Sequence, residues 1–583
     1  MFGWNGKILR IDLSNRVVAV ETPDPAVYRN YIGGSGLAAH YLLPEITRSW
    51  RDPAMPLLLF VGPLTATPAP TAGRMAVASR SPLTGTVGDA SVGGRFGTQL
   101  KKAGWDGMII TGRSDRLCGI AVCDERVEFL DAADEKGRGI SQLHARLKAR
   151  GATAVAGPAA ENGVRFASII FDGHYAAGRG GLGLLFNGKN LKYITVKGTG
   201  RVPLRDPEGL KQARADILRL TAASPVLMGP LGITRFGTAA LYDLTASRRM
   251  MPTANFRKTY FAACRATNAY QYDQIYHPRK TGCRGCHIRC KKMTADGRIL
   301  PEFETMNHFS ALLENADIEI VTRANLICNE LGMDTISAGA TLACYAEIEH
   351  IRLTGAQILS LLEAIGTRRG LGRDLGQGSQ RYARIRGNPQ ASISVKGLEL
   401  PAYDPRGAYG MALGYAVATR GGCHLRAYPI GTEILRKPVP TDRFSFDGKA
   451  RIVKIAEDAN AVIDALCACK FILLGASLEE YANALSAVTG EAFTGQDLLR
   501  VGERICYARH LMNARNGFDR KDDDLPVRFF KEAGSGGDNI AVPPIDRFAF
   551  LAAREKYYTV RGLNVDDLPV ESRLRELELL CNI

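Results

Sequence analysis

Apolar and polar positions alternate over the first two hundred residues and then change period. Lys7 to Leu13 and Val17 to Thr22 alternate about Ser14-Asn15, the pattern of two strands joined by a hairpin. Short runs at Leu57–Val61, Met75–Ala78, Gly107–Thr111, Ile120–Cys123, Val164–Phe171 and Tyr193–Val196 predict further strands. Glycine-dense loops lie between them. Gly73, Gly85, Gly88, Gly93-Gly94 and Gly97 crowd one stretch, and Gly178-Arg179-Gly180-Gly181-Leu182-Gly183 forms another. Glycine adopts positive φ and lets the backbone approach a bulky ligand. From Asp206-Pro207, an N-cap followed by a proline in the first turn, the spacing becomes helical through Leu220. Ile318 to Leu331, Thr335 to His350, Ala356 to Ile365, Leu498 to Asn516 and Val570 to Leu580 repeat that periodicity. The fold class is therefore α+β, β-rich first and helical afterwards. No repeat of about 20–50 residues is evident.

Composition adds bounds rather than identity. At 583 residues the chain is long enough for three or so domains, and 46% hydrophobic with 23% charged residues is ordinary for a globular protein. Thirteen cysteines are too dilute for a disulfide scaffold and point to free thiols or metal ligands. The N-terminus enters directly into Gly6-Lys7-Ile8-Leu9-Arg10, and no apolar run approaches the roughly 18 residues of a membrane helix, so a cytoplasmic protein with no membrane span is expected. The net charge of +16 is scattered, densest from Arg284 to Lys292. No basic stripe interleaved with aromatics is present, which argues against nucleic acid. A basic surface beside a redox centre suits an acidic electron-carrier protein.

The candidate chemistry centres on Cys283-x2-Cys286-x3-Cys290. Three thiols on one tight loop suit one face of an iron–sulfur cluster. Cys283-x-x-Cys286-His287 is also the haem-attachment string, and such spacings hold zinc as well. Covalent haem normally accompanies export, which disfavours that option. A fourth ligand must come from elsewhere, and Cys467-Ala-Cys469 lies far downstream. Neither glycine cluster has the form of a P-loop or a dinucleotide fingerprint. Arg74 and Arg179 lie within these clusters, and the guanidinium fork suits a phosphate. Glu347-x-x-His350 reads as a solvated helical pair, and Cys328 and Cys344 as buried thiols.

Ordered motifs run almost end to end: Gly3-Trp4-Asn5-Gly6-Lys7, Gly62-Pro63-Leu64-Thr65, Ser79-Arg80-Ser81-Pro82-Leu83-Thr84-Gly85, Gly157-Pro158-Ala159-Ala160-Glu161-Asn162, Asn187-Gly188-Lys189-Asn190-Leu191-Lys192, Pro301-Glu302-Phe303-Glu304-Thr305, Leu331-Gly332-Met333-Asp334, Asp404-Pro405-Arg406-Gly407, Arg420-Gly421-Gly422-Cys423-His424-Leu425-Arg426 and Asp464 to Phe471. In these the chain resembles the tungsten-containing aldehyde:ferredoxin oxidoreductases.

The resemblance implies a β-rich bis-pterin-binding domain at 1–205, a helical domain carrying the three-cysteine loop at 206–410, and a helical domain carrying the fourth cysteine at 411–583. It implies a tungsten (or molybdenum) bis-pyranopterin whose dithiolenes ligate the metal, a [4Fe-4S] cluster, and Mg2+ bridging the pterin phosphates. By motif, Arg74 and Gly93 belong to one pterin-contacting loop and Arg179 with Gly180 to another, with Ser91 and Gly180 supplying carbonyls to the magnesium. The family's Asp-x-x-Gly-Leu-(Cys/Asp) motif corresponds to Asn329-x-x-Gly332-x-Asp334 and to Asp464-x-x-Cys467-x-Cys469, each with a departure. The cluster ligands become Cys283, Cys286, Cys290 and Cys469, with Cys467 as the rival. Glu304 takes the place of a general base towards water and His424 that of a donor to the carbonyl, with His308 a neighbouring candidate. The implied reaction is aldehyde oxidation with electrons passed to ferredoxin or an iron–sulfur subunit, in a homo- or hetero-oligomer. Two rivals stand beside it: the tungsten subunit of a multi-subunit benzoyl-thioester (benzoyl-CoA) reductase, and a zinc-stabilised nucleic-acid-binding protein.

Overall fold

The computed structural model describes residues 1–564 and 568–579. Its N-terminal portion is built on two six-stranded sheets. The first comprises β1 (Ile8–Asp12), β2 (Val17–Glu21), β3 (Leu57–Phe60), β4 (Met75–Arg80), β5 (Val87–Val92) and β6 (Gly107–Thr111), in the order β2-β1-β6-β3-β4-β5. The second comprises β7 (Cys118–Cys123), β8 (Arg126–Asp131), β9 (Ala152–Ala156), β10 (Ile169–Phe171), β11 (Tyr175–Ala177) and β12 (Leu191–Lys197), in the order β11-β10-β9-β12-β7-β8. Read from the other edge, the second order is the first with six added to every strand. Each sheet has one parallel pair, β1 with β6 and β7 with β12. The β-rich portion is thus a structural duplication, longer in period than the repeats sought in the sequence.

The duplication explains why there are two glycine clusters. Gly93-Gly94 follows β5 and leads into the helix Phe96–Lys102; Gly178 to Gly181 follows β11 and leads into the helix Leu182–Gly188. β5 and β11 are the edge strands of their sheets, and they approach each other. Both clusters therefore lie where the sheets meet. β5 itself (Val-Gly-Asp-Ala-Ser-Val) lies in a stretch the sequence marks as loop. Its β-propensity is low, and its ladder to β4 holds it extended. The strand expected over Val164–Phe171 is confined to Ile169–Phe171.

Beyond Asp206, whose carboxylate accepts the Gly209 N–H and caps Pro207–Ala222, the chain is mainly helical. Ile318–Leu331, Thr335–Ile348, Gly355–Thr367 and Gly495–Arg515 form close to the expected spans. The C-terminal helix is Glu571–Glu576, and Leu580, the expected end, lies outside the described residues. The helix Tyr409–Val417 runs across positions 410 and 411, so a unit edge there would cut a continuous helix. Gly34–Leu42, from the β-rich half, packs on β3, β4 and the helix Lys449–Ala465. Among the described residues no single helix is long and apolar enough to cross a membrane.

Candidate active site

Two helix-ending turns face the sheet junction, and they share one geometry. The helix Ile318–Leu331 stops at Gly332, left-handed at φ 74°; the Gly332 N–H bonds the Asn329 carbonyl (3.1 Å) and the Met333 N–H that of Cys328 (2.8 Å). Asp334 then caps the helix Thr335–Ile348. Lys449–Ala465 ends the same way: Cys467 is left-handed at φ 57°, the Cys467 N–H bonds the Asp464 carbonyl (3.3 Å), and the Ala468 N–H that of Ile463 (3.0 Å). Asn329 thus corresponds to Asp464, Gly332 to Cys467, and Asp334 to Cys469. Each turn rests on a duplicated Gly-Pro pair. A Cβ at Gly157 would collide with the Leu331 carbonyl, and one at Gly62 would lie 2.5 Å from the Leu466 carbonyl oxygen. The residue before each fourth strand donates to its turn, Ser168 N–H to the Gly332 carbonyl (2.8 Å) and Arg74 N–H to that of Cys467 (3.1 Å).

This geometry separates the two downstream cysteines. Cys467 is fully buried with Sγ turned to the Phe60 carbonyl (3.6 Å). Cys469 faces the three-cysteine loop, and Cys286 and Cys290 each feel the charges of Cys283 and Cys469. Among the described residues, no three His, Cys, Asp or Glu side chains form a ready-made set for a single metal ion. Gly93 and Gly73 floor this loop: a Cβ at Gly93 would collide with Cys283 Sγ, and one at Gly73 would lie 2.7 Å from the Arg284 carbonyl oxygen.

Two cavities of about 510 Å3 and about 720 Å3 open between the sheets and the helices, within the size range of cofactor sites. They share a wall that includes Arg74, Ser91, Gly178, Glu302, Asp334 and Phe471. Asp464 and Cys469 line the first; Asn329, Gly93, Cys283 and Cys290 line the second. The first holds an unusual set of buried polar atoms without partners: Arg74 Nε, Arg179 Nε, Glu304 Oε1, Arg420 Nε, His424 Nδ1, Arg426 Nε and Asp464 Oδ1. Buried polar groups are normally satisfied. Five of the seven are nitrogens, four of them guanidinium N–H donors, and in one cavity with excess positive charge they fit a large anionic group rich in acceptors; the two carboxyl oxygens call for donors on the same group.

Glu304, in the first turn of Phe303–Phe309, and His424 meet in this cavity with Oε1 and Nε2 3.5 Å apart. The Ala402 N–H donates to the other carboxyl oxygen of Glu304 (2.8 Å). Burial pushes the Glu304 carboxyl up to about 8. Burial, together with Arg179, Arg420 and Lys470, holds His424 far below its usual range. Near neutral pH the pair therefore carries one proton, on Glu304. Phe303, Tyr403 and Tyr428 wall the space, with the Tyr403 ring 5.7 Å from that of His424 and its hydroxyl 3.1 Å from that of Tyr428. His308 is fully buried and its Nδ1 bonds the Glu304 carbonyl (2.7 Å), so it braces this helix rather than entering the cavity.

The structure adds residues the sequence reading missed. Asp89, on β5, accepts from Arg426 through both oxygens (2.8 and 2.9 Å), from Arg509 (3.2 Å) and from Arg420 (3.3 Å). Burial opposes its charge, but the three guanidiniums hold its carboxyl well below the usual range. Three cations on one carboxylate, two of them buried, leave a positive surplus at the cavity wall. Cys423 shares this field: burial works against its thiolate, yet Arg420, Arg426, Arg179 and Lys470 pull the thiol below its ordinary value. The two arginines flanking Cys423-His424 were the available signal; their partner on a distant strand was not.

Two of the expected residues already hold partners within the protein. Arg179 does not offer a free fork to phosphate, because its terminal nitrogens donate to the carbonyls of Gly422 (2.8 Å) and Glu399, leaving only Nε, 3.6 Å from Asp334. Gly180 is absent from both cavity walls, and its carbonyl accepts from Ser81 Oγ (2.7 Å) and the Leu83 N–H (3.4 Å). Ser91 does line the cavities, with its carbonyl taking Arg74 Nη1 (2.6 Å). Asp464 Oδ2 pairs with Lys470 (2.5 Å), and Asn329 donates to the Gly173 carbonyl (3.0 Å). Glu347 is occupied by Arg528 and Asn255, and gathers no metal set with His350.

Comparison with known proteins agrees with this arrangement. The family model "Aldehyde ferredoxin oxidoreductase, N-terminal domain" matches residues 8–198, and "Aldehyde ferredoxin oxidoreductase, domains 2 & 3" matches 212–579. The chain is 36% identical to the tungsten-containing aldehyde ferredoxin oxidoreductases of Pyrococcus furiosus and Thermococcus kodakarensis, over 99% of this chain and 99% of each relative. It is 26% identical to the WOR-like subunit of an aliphatic sulfonate oxidoreductase of P. furiosus, over 99% of this chain and 97% of that one. In fold it matches a solved structure, the active site complex BamBC of benzoyl coenzyme A reductase with 1,5-dienoyl-CoA, at a TM-score of 0.84 and 21% identity, covering 100% of this chain and 98% of that one. The matched domains span nearly the whole chain, and this protein belongs to the aldehyde ferredoxin oxidoreductase family.

Proposed function

We propose that this protein oxidises an aldehyde to its carboxylic acid and passes the two electrons to a ferredoxin or another iron–sulfur carrier. The observation that carries the reading is the Glu304–His424 pair, buried in a cavity whose walls also hold Asp464 and the cluster thiol Cys469. Asp464, Asn329, Asp334, Arg74 and Ser91 would hold a bis-pterin tungsten group, and Cys283, Cys286, Cys290 and Cys469 a [4Fe-4S] cluster. When bound, the tungsten group supplies the two-electron oxidation and the cluster carries the electrons out singly.

The chain's own residues handle protons. Oxidation of RCHO and H2O to RCOOH releases two electrons and two protons. Glu304, once ionised, takes a proton from the attacking water. His424, kept neutral by burial and its cationic neighbours, has an Nδ1 without a partner that would donate to the carbonyl oxygen in the tautomer carrying its hydrogen there. The aromatic wall favours an apolar or aryl substituent on the aldehyde. Exposed Arg284 and Arg289 beside the cluster thiols favour an acidic electron acceptor.

Metal analysis and aldehyde-dependent reduction of a viologen dye test the proposal. About four irons and one tungsten per chain are expected, with Glu304→Gln lowering kcat by about 10²–10⁴-fold at unchanged metal content. Zinc without iron, or fully loaded protein inert toward every aldehyde, would overturn it.

A further inference from the structure

Away from the cavity six arginines gather with two carboxylates near them, Asp374 in the pocket wall and the buried Glu399 in the field of Arg381. A surface pocket of about 480 Å3 is lined by Arg368, Arg373, Arg381 and Arg384, with Asp374 as the one carboxylate in its lining. Arg165 and Arg51 adjoin it: Arg165 lies in the field of Arg368 and Arg51, and both stand over the Trp50 ring, at 6.0 and 4.6 Å. Arg165 and Arg381 are half-buried, yet their hydrogen bonds go to neutral acceptors. Arg165 donates to Gln377 Oε1 (3.0 Å) and the Pro82 carbonyl (2.9 Å), and Arg381 to the Leu83 carbonyl (2.7 Å). Among the described residues none of the six forms an ion pair; four are exposed and two half-buried. Burial, with Arg165 and Arg384 beside it, lowers Arg381 to about 10 against the opposing pull of Glu399.

We propose that this pocket binds the diphosphate group of a small organic polyphosphate. Guanidinium forks match phosphate oxygens two at a time, and an anion of charge −2 or more would offset the crowding of like charges. The volume fits a small molecule. Ile385 is the one exposed large apolar side chain in its lining, which is too little for a stable protein interface, where about 1,200–2,000 Å2 is buried in total. The backbone that receives Arg165 and Arg381, Pro82-Leu83, also bonds Gly180 through Leu83 N–H and Ser81 Oγ, so an occupant would stiffen the loop beneath Arg179.

Isothermal titration of the full-length holoenzyme with inorganic pyrophosphate and with ADP, at about 50 mM salt to limit screening, tests this. One saturable site is expected, weakened about tenfold or more in Arg373→Ala/Arg384→Ala, whose side chains are exposed, and unchanged in the distant control Arg201→Ala. ADP binding more tightly than pyrophosphate assigns a nucleotide, and equal affinity assigns the diphosphate alone. The proposal is overturned by three results: no saturable heat, equal loss in the pocket and control variants, or saturable binding of an octaglutamate peptide with none of pyrophosphate.

Discussion

Cys467 and Cys469, two positions apart, face opposite surroundings, and backbone geometry separates them. Cys467 occupies a left-handed site that its counterpart fills with glycine, which costs about 1–2 kcal/mol for a residue with a Cβ. Its thiol packs against Gly34, where a Cβ would come within 2.7 Å of the sulfur. Cys467→Gly should therefore keep full iron content while shifting stability by no more than about 1–2 kcal/mol, whereas Cys469→Ser should lose iron and visible absorbance. Glu304 sets a second expectation. Its carboxyl is raised to about 8 by burial, so the ionised form that accepts a proton grows as pH rises. The value of kcat/KM for aldehyde should climb tenfold per pH unit below about 8 and level off above it. A flat profile from pH 6 to 9 would remove Glu304 as the base.

The cluster loop, the turns and the glycine clusters work as fitted pairs of elements. Gly93 ends β5 with ordinary backbone angles, so its requirement is steric: a Cβ would collide with Cys283 Sγ and lie 3.0 Å from the Tyr175 ring. Gly93→Ala should push the cysteine loop outward and lower iron content per chain. Gly188→Ala, at a helix end with nothing within 4 Å, should leave iron content unchanged. Equal iron in both proteins would show that the loop is not seated on β5.

Asp89 ties the halves of the molecule together, joining β5 to the Arg420–Arg426 segment and, through Arg509, to the helix Gly495–Arg515. Removing its charge leaves three guanidiniums, two of them buried, unbalanced, and breaking a buried pair costs about 3–5 kcal/mol. Asp89→Asn should lower stability toward urea by that amount and reduce cofactor content, because the same arginines line the cavity. A variant as stable as the parent would mean that another group compensates the arginines.

Periodicity alone announced the change from strands to helices near Asp206, because amphipathic spacing is local. Motifs quoted in order carried the family, because they are written in types and spacings the chain preserves; the same motifs pointed to Glu304 and His424, which the fold brings within 3.5 Å of each other. The duplication of the sheets did not show: strand pairing tolerates unrelated sequences, and β5 has a run of small residues of low β-propensity between two valines, held extended by its partner strand. Nor did the Asp89 cluster, the spent fork of Arg179 or the turned carbonyl of Gly180. These depend on groups from 97 (Leu83 and Gly180) to 420 (Asp89 and Arg509) positions apart, and which lone pair or N–H remains free is settled when the elements pack, since buried polar groups take whatever partner the packing brings.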